Sequence, residues 1–177
     1  LKKSGMDSYV FMRPNAEENP RVPGWIFRWE SPDGTQVTAF RIPWSYGQWV
    51  ADAKGEDPEI HKIRRSVDLA SEKERDIMSF YGVGNHGGGP TIATLKRIAL
   101  LRGELEGKDA AKIAMSAPEA YFEALRRSGP ALEVHGAELP RAPVDPAFVR
   151  DDIVALLLAD QAGRRAERLG QHRYRGA

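Results

Sequence analysis

The sequence predicts an α/β fold that opens with a β-hairpin. Two patterns carry the prediction. From about residue 60 onward, helical and extended stretches alternate as helix, strand, helix, strand, helix, strand, helix, the order expected of a parallel sheet layered with helices. Earlier, Trp25, Phe27 and Trp29 alternate with Ile26, Arg28 and Glu30, and "TQVTAFRIP" supplies a return strand. The intervening "SPDGT" is a turn with a mechanism, because Pro32 presets φ and Asp33-Gly34 tolerates positive φ. Residues 25–43 therefore read as a hairpin.

The remaining elements follow in chain order. "LKKSG" has the form of a helix end, with two lysines suited to the dipole and Gly5 to a left-handed cap. A chain that starts so, at Leu1, is expected to be a piece of something longer. "SYVFMRP" reads as a buried strand ending at Arg13-Pro14, and "NAEENPRVPG" as a polar loop. Asp57 and Pro58 suit the N-cap and N1 positions of a helix whose apolar stripe is Ile60, Ile63, Val67 and Ala70. "IMSFYGV" is a strand, and Pro90 is expected to open a helix burying Ile92, Leu95, Ile98, Ala99 and Leu105. "KIAMS", "APEAYFEALRRSG" and "ALEVHG" read as strand, helix and strand. Residues 147–169 read as a last helix around Val149, Ile153, Leu156 and Leu157, before a basic tail.

Composition excludes some classes. The net charge is +1, so the chain carries no basic signature of nucleic-acid binding. There is no cysteine, which removes disulfides and thiolate metal sites and fits a reducing compartment. No apolar run approaches the roughly 20 residues of a membrane span, and no signal peptide is visible. A cytoplasmic location, without membrane or nucleic-acid partners, is the expectation.

The stretch "FYGVGNHGGGPT", residues 80–91, carries the most chemistry. Consecutive glycines cost conformational entropy, and here they stand beside Asn85 and His86 just past a strand. The P-loop Lys-Ser/Thr is missing, and no acidic residue follows at dinucleotide spacing. Two readings stay open: an exposed flexible loop, or a loop cleared of side chains so that a polar ligand can approach. His135 stands at the end of the strand "ALEVHG", whereas His61 and His172 read as solvated. No HxxxH, HxH or HxD occurs, so no metal site is predicted. The aromatics Trp25, Trp29, Trp44, Tyr46 and Trp49 suit either a sugar-stacking surface or, more simply, a packed hairpin core.

Three blocks, "LKKSGMDSYVFMRP", "FRWESPDGTQVTAFRIPWSYG" and "FYGVGNHGGGPT", occur in an order and at separations that resemble the catalytic domain of glycoside hydrolase family 38, the retaining α-mannosidases. The resemblance covers residues 1 to about 125, fades through "ALEVHGAELP" and is lost beyond Pro140. It implies a (β/α) barrel-like catalytic domain, a zinc ion gripping the 2- and 3-hydroxyls of mannose, an aspartate nucleophile that forms a covalent glycosyl-enzyme, and a second residue as acid/base. The family's His-x-Asp, Asp-x-Phe-Gly and His-Asp segments are absent here, so zinc ligands and nucleophile are expected outside this chain, with no metal ligand in it. Carried over residue by residue, the resemblance assigns substrate contacts to Arg13, Tyr46, Asn85, His86, Gly87 and Gly88. The Asn85-His86 pair falls where relatives often have an aspartate, which leaves His86 as the candidate acid/base and makes the glycines room for the leaving sugar.

The expectation is therefore a fragment of a zinc-dependent α-mannosidase. Residues 1–140 would be the central part of the catalytic domain and residues 141–177 a divergent helical segment. The partner would be a mannose-containing glycan, with a homo-oligomeric parent enzyme a further expectation. Two rivals stand beside it. One is a non-catalytic carbohydrate-binding module. The other is a degenerate reading frame, since half a barrel leaves strand edges unpaired.

Overall fold

The structure is a computed structural model; it describes residues 1–47, 55, 57–84 and 89–136, together with the backbone of 154–159. The chain divides into two compact units, one of residues 1–46 and 118–152, the other of residues 47–117 and 153–177.

In the first unit, strand β1 (Ser8–Phe11) follows a short 3-10 turn, Lys2–Ser4, that ends on Gly5 at φ 83°. The left-handed cap anticipated at Gly5 is present. The hairpin is also present, as β2 (Ile26–Glu30) paired antiparallel with β3 (Gln36–Arg41), Ile26 opposite Phe40 and Glu30 opposite Gln36. The turn is held by Ser31 N–H donating to the Thr35 carbonyl at 3.0 Å and by Thr35 N–H donating to Asp33 Oδ1 at 3.1 Å. β1 adds parallel to β3, Phe11 opposite Arg41. The two-residue strand β6 (Val134–His135) adds parallel to β2. The sheet order is β1-β3-β2-β6.

Strand alternation gives this sheet two faces. One carries Phe11, Phe27 and Ala39, packed with Val22 from the loop and with Trp29. The other carries Phe40, whose ring meets Tyr121 of helix α3 (Pro118–Ser128) edge-on at 5.4 Å. Tyr121 and Phe122 are the buried residues of α3. Arg41, 7% exposed, closes the core at the strand end. Its guanidinium donates to the carbonyls of Asn19, Val22 and Gly24 at 3.2, 3.3 and 2.9 Å, so the polar loop is pinned to the sheet by a buried cation.

In the second unit, helix α1 (Pro58–Glu72) starts as the sequence dictates. Asp57 Oδ1 accepts from the N–H groups of Glu59 and Ile60. Strand β4 (Ile77–Tyr81) is buried throughout. Helix α2 (Ile92–Gly107) is capped by Thr91, whose Oγ1 accepts from Thr94 N–H at 3.0 Å. Strand β5 is Lys112–Ser116. Between β4 and β5 lies β7 (Val154–Ala159), antiparallel to both.

Six expectations are corrected here. Residues 154–159 are a strand, not the core of a helix; "VALLLA" is a short continuous apolar run, which suits a buried strand as well as a helix. Because β7 separates β4 from β5, the alternating order does not make one parallel sheet. The described strands fall into two sheets, and they close no barrel. The buried stripe of α1 is Glu59, Lys62, Ile63, Ser66 and Ala70, rotated away from Ile60 and Val67. The buried stripe of α2 is Thr94, Ile98, Leu101 and Leu105, while Ile92, Leu95 and Ala99 are exposed. Pro90 precedes that helix and does not open it. β1 is half-buried where a buried strand was expected.

Candidate functional site

Two of the sequence-predicted contacts lie in the first unit. β1 and β3 run parallel, so their C-terminal ends lie side by side, and the segments leaving them carry Arg13 and Pro43–Tyr46. From the sequence, one strand is expected to end at Arg13-Pro14 and the hairpin at residue 43, and the sheet sets those two ends side by side. Arg13 is exposed and its Nη1 pairs with Glu18 Oε1. Glu18 is fixed in turn, since its Oε2 accepts from Asn15 N–H at 2.9 Å, while Asn15 Oδ1 accepts from the Glu17 and Glu18 amides. Arg13 thus pairs with a carboxylate four positions into the polar loop. Nothing in the spacing had singled Glu18 out. Tyr46 is half-buried.

Asn85, His86, Gly87 and Gly88 lie outside the described residues. The flanks of that stretch are described, in the second unit. Gly82 has φ 128° and Gly84 φ 74°, conformations that L side chains rarely adopt, so these two positions require glycine for the backbone alone. Val83 N–H donates to the Gly89 carbonyl at 3.3 Å, which ties the two ends of the stretch together.

Beneath Gly82 lies a pair that sequence reasoning missed. Glu59 and Lys62 of α1 are each 1% exposed at the side chain, with Lys62 Nζ 2.7 Å from Glu59 Oε1. The contact is an ion pair between buried charges. Each partner also takes a backbone group. Glu59 Oε2 accepts from Gly82 N–H at 3.3 Å, and Lys62 Nζ donates to the Gly47 carbonyl at 2.7 Å. Burial pushes the Glu59 carboxyl above its ordinary range and the Lys62 ammonium below its own, and the attraction between them opposes both shifts. Ser66 extends the polar seam, donating to the Lys62 carbonyl at 3.0 Å and meeting Ser79 of β4 at 3.2 Å. The backbone of Gly47 packs against that of Gly84, where an added Cβ would stand 3.2 Å from Gly84 Cα. The signal for this seam was the i, i+3 spacing of Glu59 and Lys62 on the same helical face as Ile63 and Ser66.

The other candidates resolve individually. His135 is 8% exposed and meets Phe27 edge-on at 5.8 Å, so it is a packing residue of the sheet. His61 is half-buried on α1, not solvated. His172 and Trp49 lie outside the described residues. Trp25 and Trp29 join the hairpin core; Tyr9 and Trp29 form a ring pair at 6.0 Å with Tyr9 37% exposed. A groove of about 380 Å³ lined by Lys3, Trp29, Asp33, Val37 and Gly136 lies toward the opposite end of the sheet from Arg13 and Tyr46, and contains neither. Among the described residues, no three metal-ligating side chains converge. No helix among them is long and apolar enough to cross a membrane.

Comparison with known proteins defines the class. Residues 1–141 match the family model described as the glycosyl hydrolases family 38 N-terminal domain. The chain belongs to that family. It is similar to Alpha-mannosidase G of Dictyostelium discoideum, with 27% identity over 130 residues; the match takes in 71% of this chain and 11% of that protein. The chain therefore spans a small part of the length of that relative. No solved structure matches it.

Proposed function

We propose that this chain is the sugar-contacting middle of a retaining α-mannosidase that removes terminal α-mannosides from glycans. The observation that carries the reading is the family match over residues 1–141. The side-by-side strand ends that bear Arg13 and Tyr46 support a common role for these two residues. In this reading the Arg13 guanidinium, steadied by Glu18, bonds sugar hydroxyls, as a planar fork of donors does well. The Tyr46 phenol is a second sugar contact. The family resemblance adds Asn85 and His86 as further sugar contacts, with His86 moving the proton near neutral pH. The glycines at 87 and 88 leave room for the departing sugar.

Zinc would supply a grip on the 2- and 3-hydroxyls. The described residues do not fit it, since no three donors among them converge.

The test is release of mannose from an aryl α-mannoside by the longer protein that carries this segment. Chelator-sensitive release by that protein, and none from the 177-residue chain alone, is expected. A longer protein inactive on every α-mannoside would overturn the mannosidase reading, and chelator-sensitive release by the isolated chain would overturn its assignment as a part. The half-exposed Tyr9–Trp29 ring pair favours one rival, a non-catalytic carbohydrate-binding module. Saturable mannose binding to the metal-free chain by calorimetry would support that rival.

A further inference from the structure

A buried Glu–Lys pair is an uneconomical way to pack a helix on a strand. Two charges taken out of water cost more than well-packed apolar residues of the same size, and the pair is weak evidence for stability. α1 nevertheless places Glu59 and Lys62 on its buried stripe, between Pro58 and Ile63. What the pair does that apolar residues could not is hold backbone. Glu59 takes the N–H of Gly82, and Lys62 takes the carbonyl of Gly47. Both points are places where the chain has no side chain to fix itself. Gly82 stands at φ 128°, and Gly47 runs backbone to backbone against Val83 and Gly84. Gly47 directly follows Tyr46 in the chain, and Gly82 stands three positions before Asn85.

We propose that Glu59 and Lys62 are positioning residues: one helical turn clamps the backbone at Gly47 and at Gly82, two glycine joints of which the first directly follows Tyr46 in the chain and the second stands three positions before Asn85. Neither side chain touches the sugar. The pair acts through the two backbone groups that it holds, and its link to catalysis rests on the mannosidase reading above.

The test compares two double variants of the 177-residue chain. Glu59→Leu with Lys62→Met removes both anchors while keeping volume and leaving no charge unpaired. Glu59→Gln with Lys62→Met keeps an acceptor for Gly82. Amide hydrogen exchange is read at Gly82, Val83 and Gly84, and as internal controls at β4 residues Ile77–Phe80 and through α1. The first variant is expected to exchange at least tenfold faster at Gly82–Gly84 with the controls unchanged, and the second is expected to restore most of the protection at Gly82. Unchanged exchange at Gly82–Gly84 overturns the proposal. So does an increase spread evenly over β4 and α1, which would make the pair an ordinary stabilising contact. The sugar link is read separately, in the longer protein, where the first variant is expected to lower kcat/KM on an aryl α-mannoside at least tenfold while the second recovers part of it. Unaltered kcat/KM overturns the link to catalysis. A longer protein with native residues and no mannosidase activity sinks the functional reading and leaves the exchange result standing.

Discussion

Replacing Arg41 by methionine tests how the loop beside Arg13 is held. The guanidinium is 7% exposed, and its acceptors among the described residues are three backbone carbonyls, of Asn19, Val22 and Gly24. Gly24 is exposed, so water can replace the lost donor there. The Asn19 and Val22 carbonyls are buried contacts, and a buried acceptor left without a donor costs roughly 1–3 kcal/mol. Two of them give a gross loss of about 2–6 kcal/mol. Against this, burying the guanidinium is itself unfavourable, and its removal returns part of the loss; desolvation already holds the Arg41 pKa below its ordinary value. The net expectation is a loss of about 2–3 kcal/mol. With a urea dependence on the order of 2 kcal/mol per molar, the midpoint falls by roughly 1–1.5 M. Limited proteolysis should cut residues 15–24 before any other part of the first unit. Arg41→Lys should recover less than half of the loss, because one ammonium cannot serve three separated carbonyls. A midpoint unchanged by Arg41→Met would refute the reasoning, as would a loss without faster cutting in 15–24.

Other expectations follow from the same geometry. Phe27→Ala removes a fully buried ring that meets both Phe11 and His135 edge-on, and should cost about 3–5 kcal/mol in urea unfolding. Thr91→Ala removes the cap of α2 and should cost about 1 kcal/mol, read as a lower helical melting midpoint. Gly82→Ala forces a side chain to φ 128°, with its Cβ 3.4 Å from Pro90 N. It should cost on the order of 1–3 kcal/mol, and Gly34→Ala at φ 76° should cost a similar amount. The exposed carboxyl of Glu104, bonded to Arg64 and Lys108, is lowered from 4.5 to about 2. Because the folded value is the lower one, its contribution is present above pH 4.5 and is lost as the pH falls toward 2. A carboxyl NMR titration should show that low midpoint, moving up with added salt.

What the sequence disclosed depended on whether a local rule decided the outcome. The hairpin was legible because "SPDGT" permits few other backbones and the flanking aromatics alternate. Asp57 and Pro58 were legible because capping chemistry is local. The face of α1 was not, because the pattern of apolar residues pointed to Ile60 and Val67, while the structure buries two charges that satisfy each other and two backbone groups. α2 is apolar on nearly every side, so its periodicity could not choose between Leu95 and Leu101. β7 was misread because its neighbours β4 and β5, remote in sequence, decide that "VALLLA" is extended. Of the site, Arg13 and Tyr46 could be placed at strand ends, but Glu18 could not be paired with Arg13 until the loop had closed. The glycines after His86 looked like clearance for a ligand; Gly82 and Gly84, before it, have positive φ and so a backbone reason of their own.

The most direct test of the central claim is a crystal structure of the longer protein with a mannose-configured inhibitor bound. The account predicts hydrogen bonds to the sugar from Arg13 and Tyr46, with Asn85 or His86 against the leaving-group side. An inhibitor bound elsewhere, with no sugar atom within reach of Arg13, Tyr46 or His86, would contradict it.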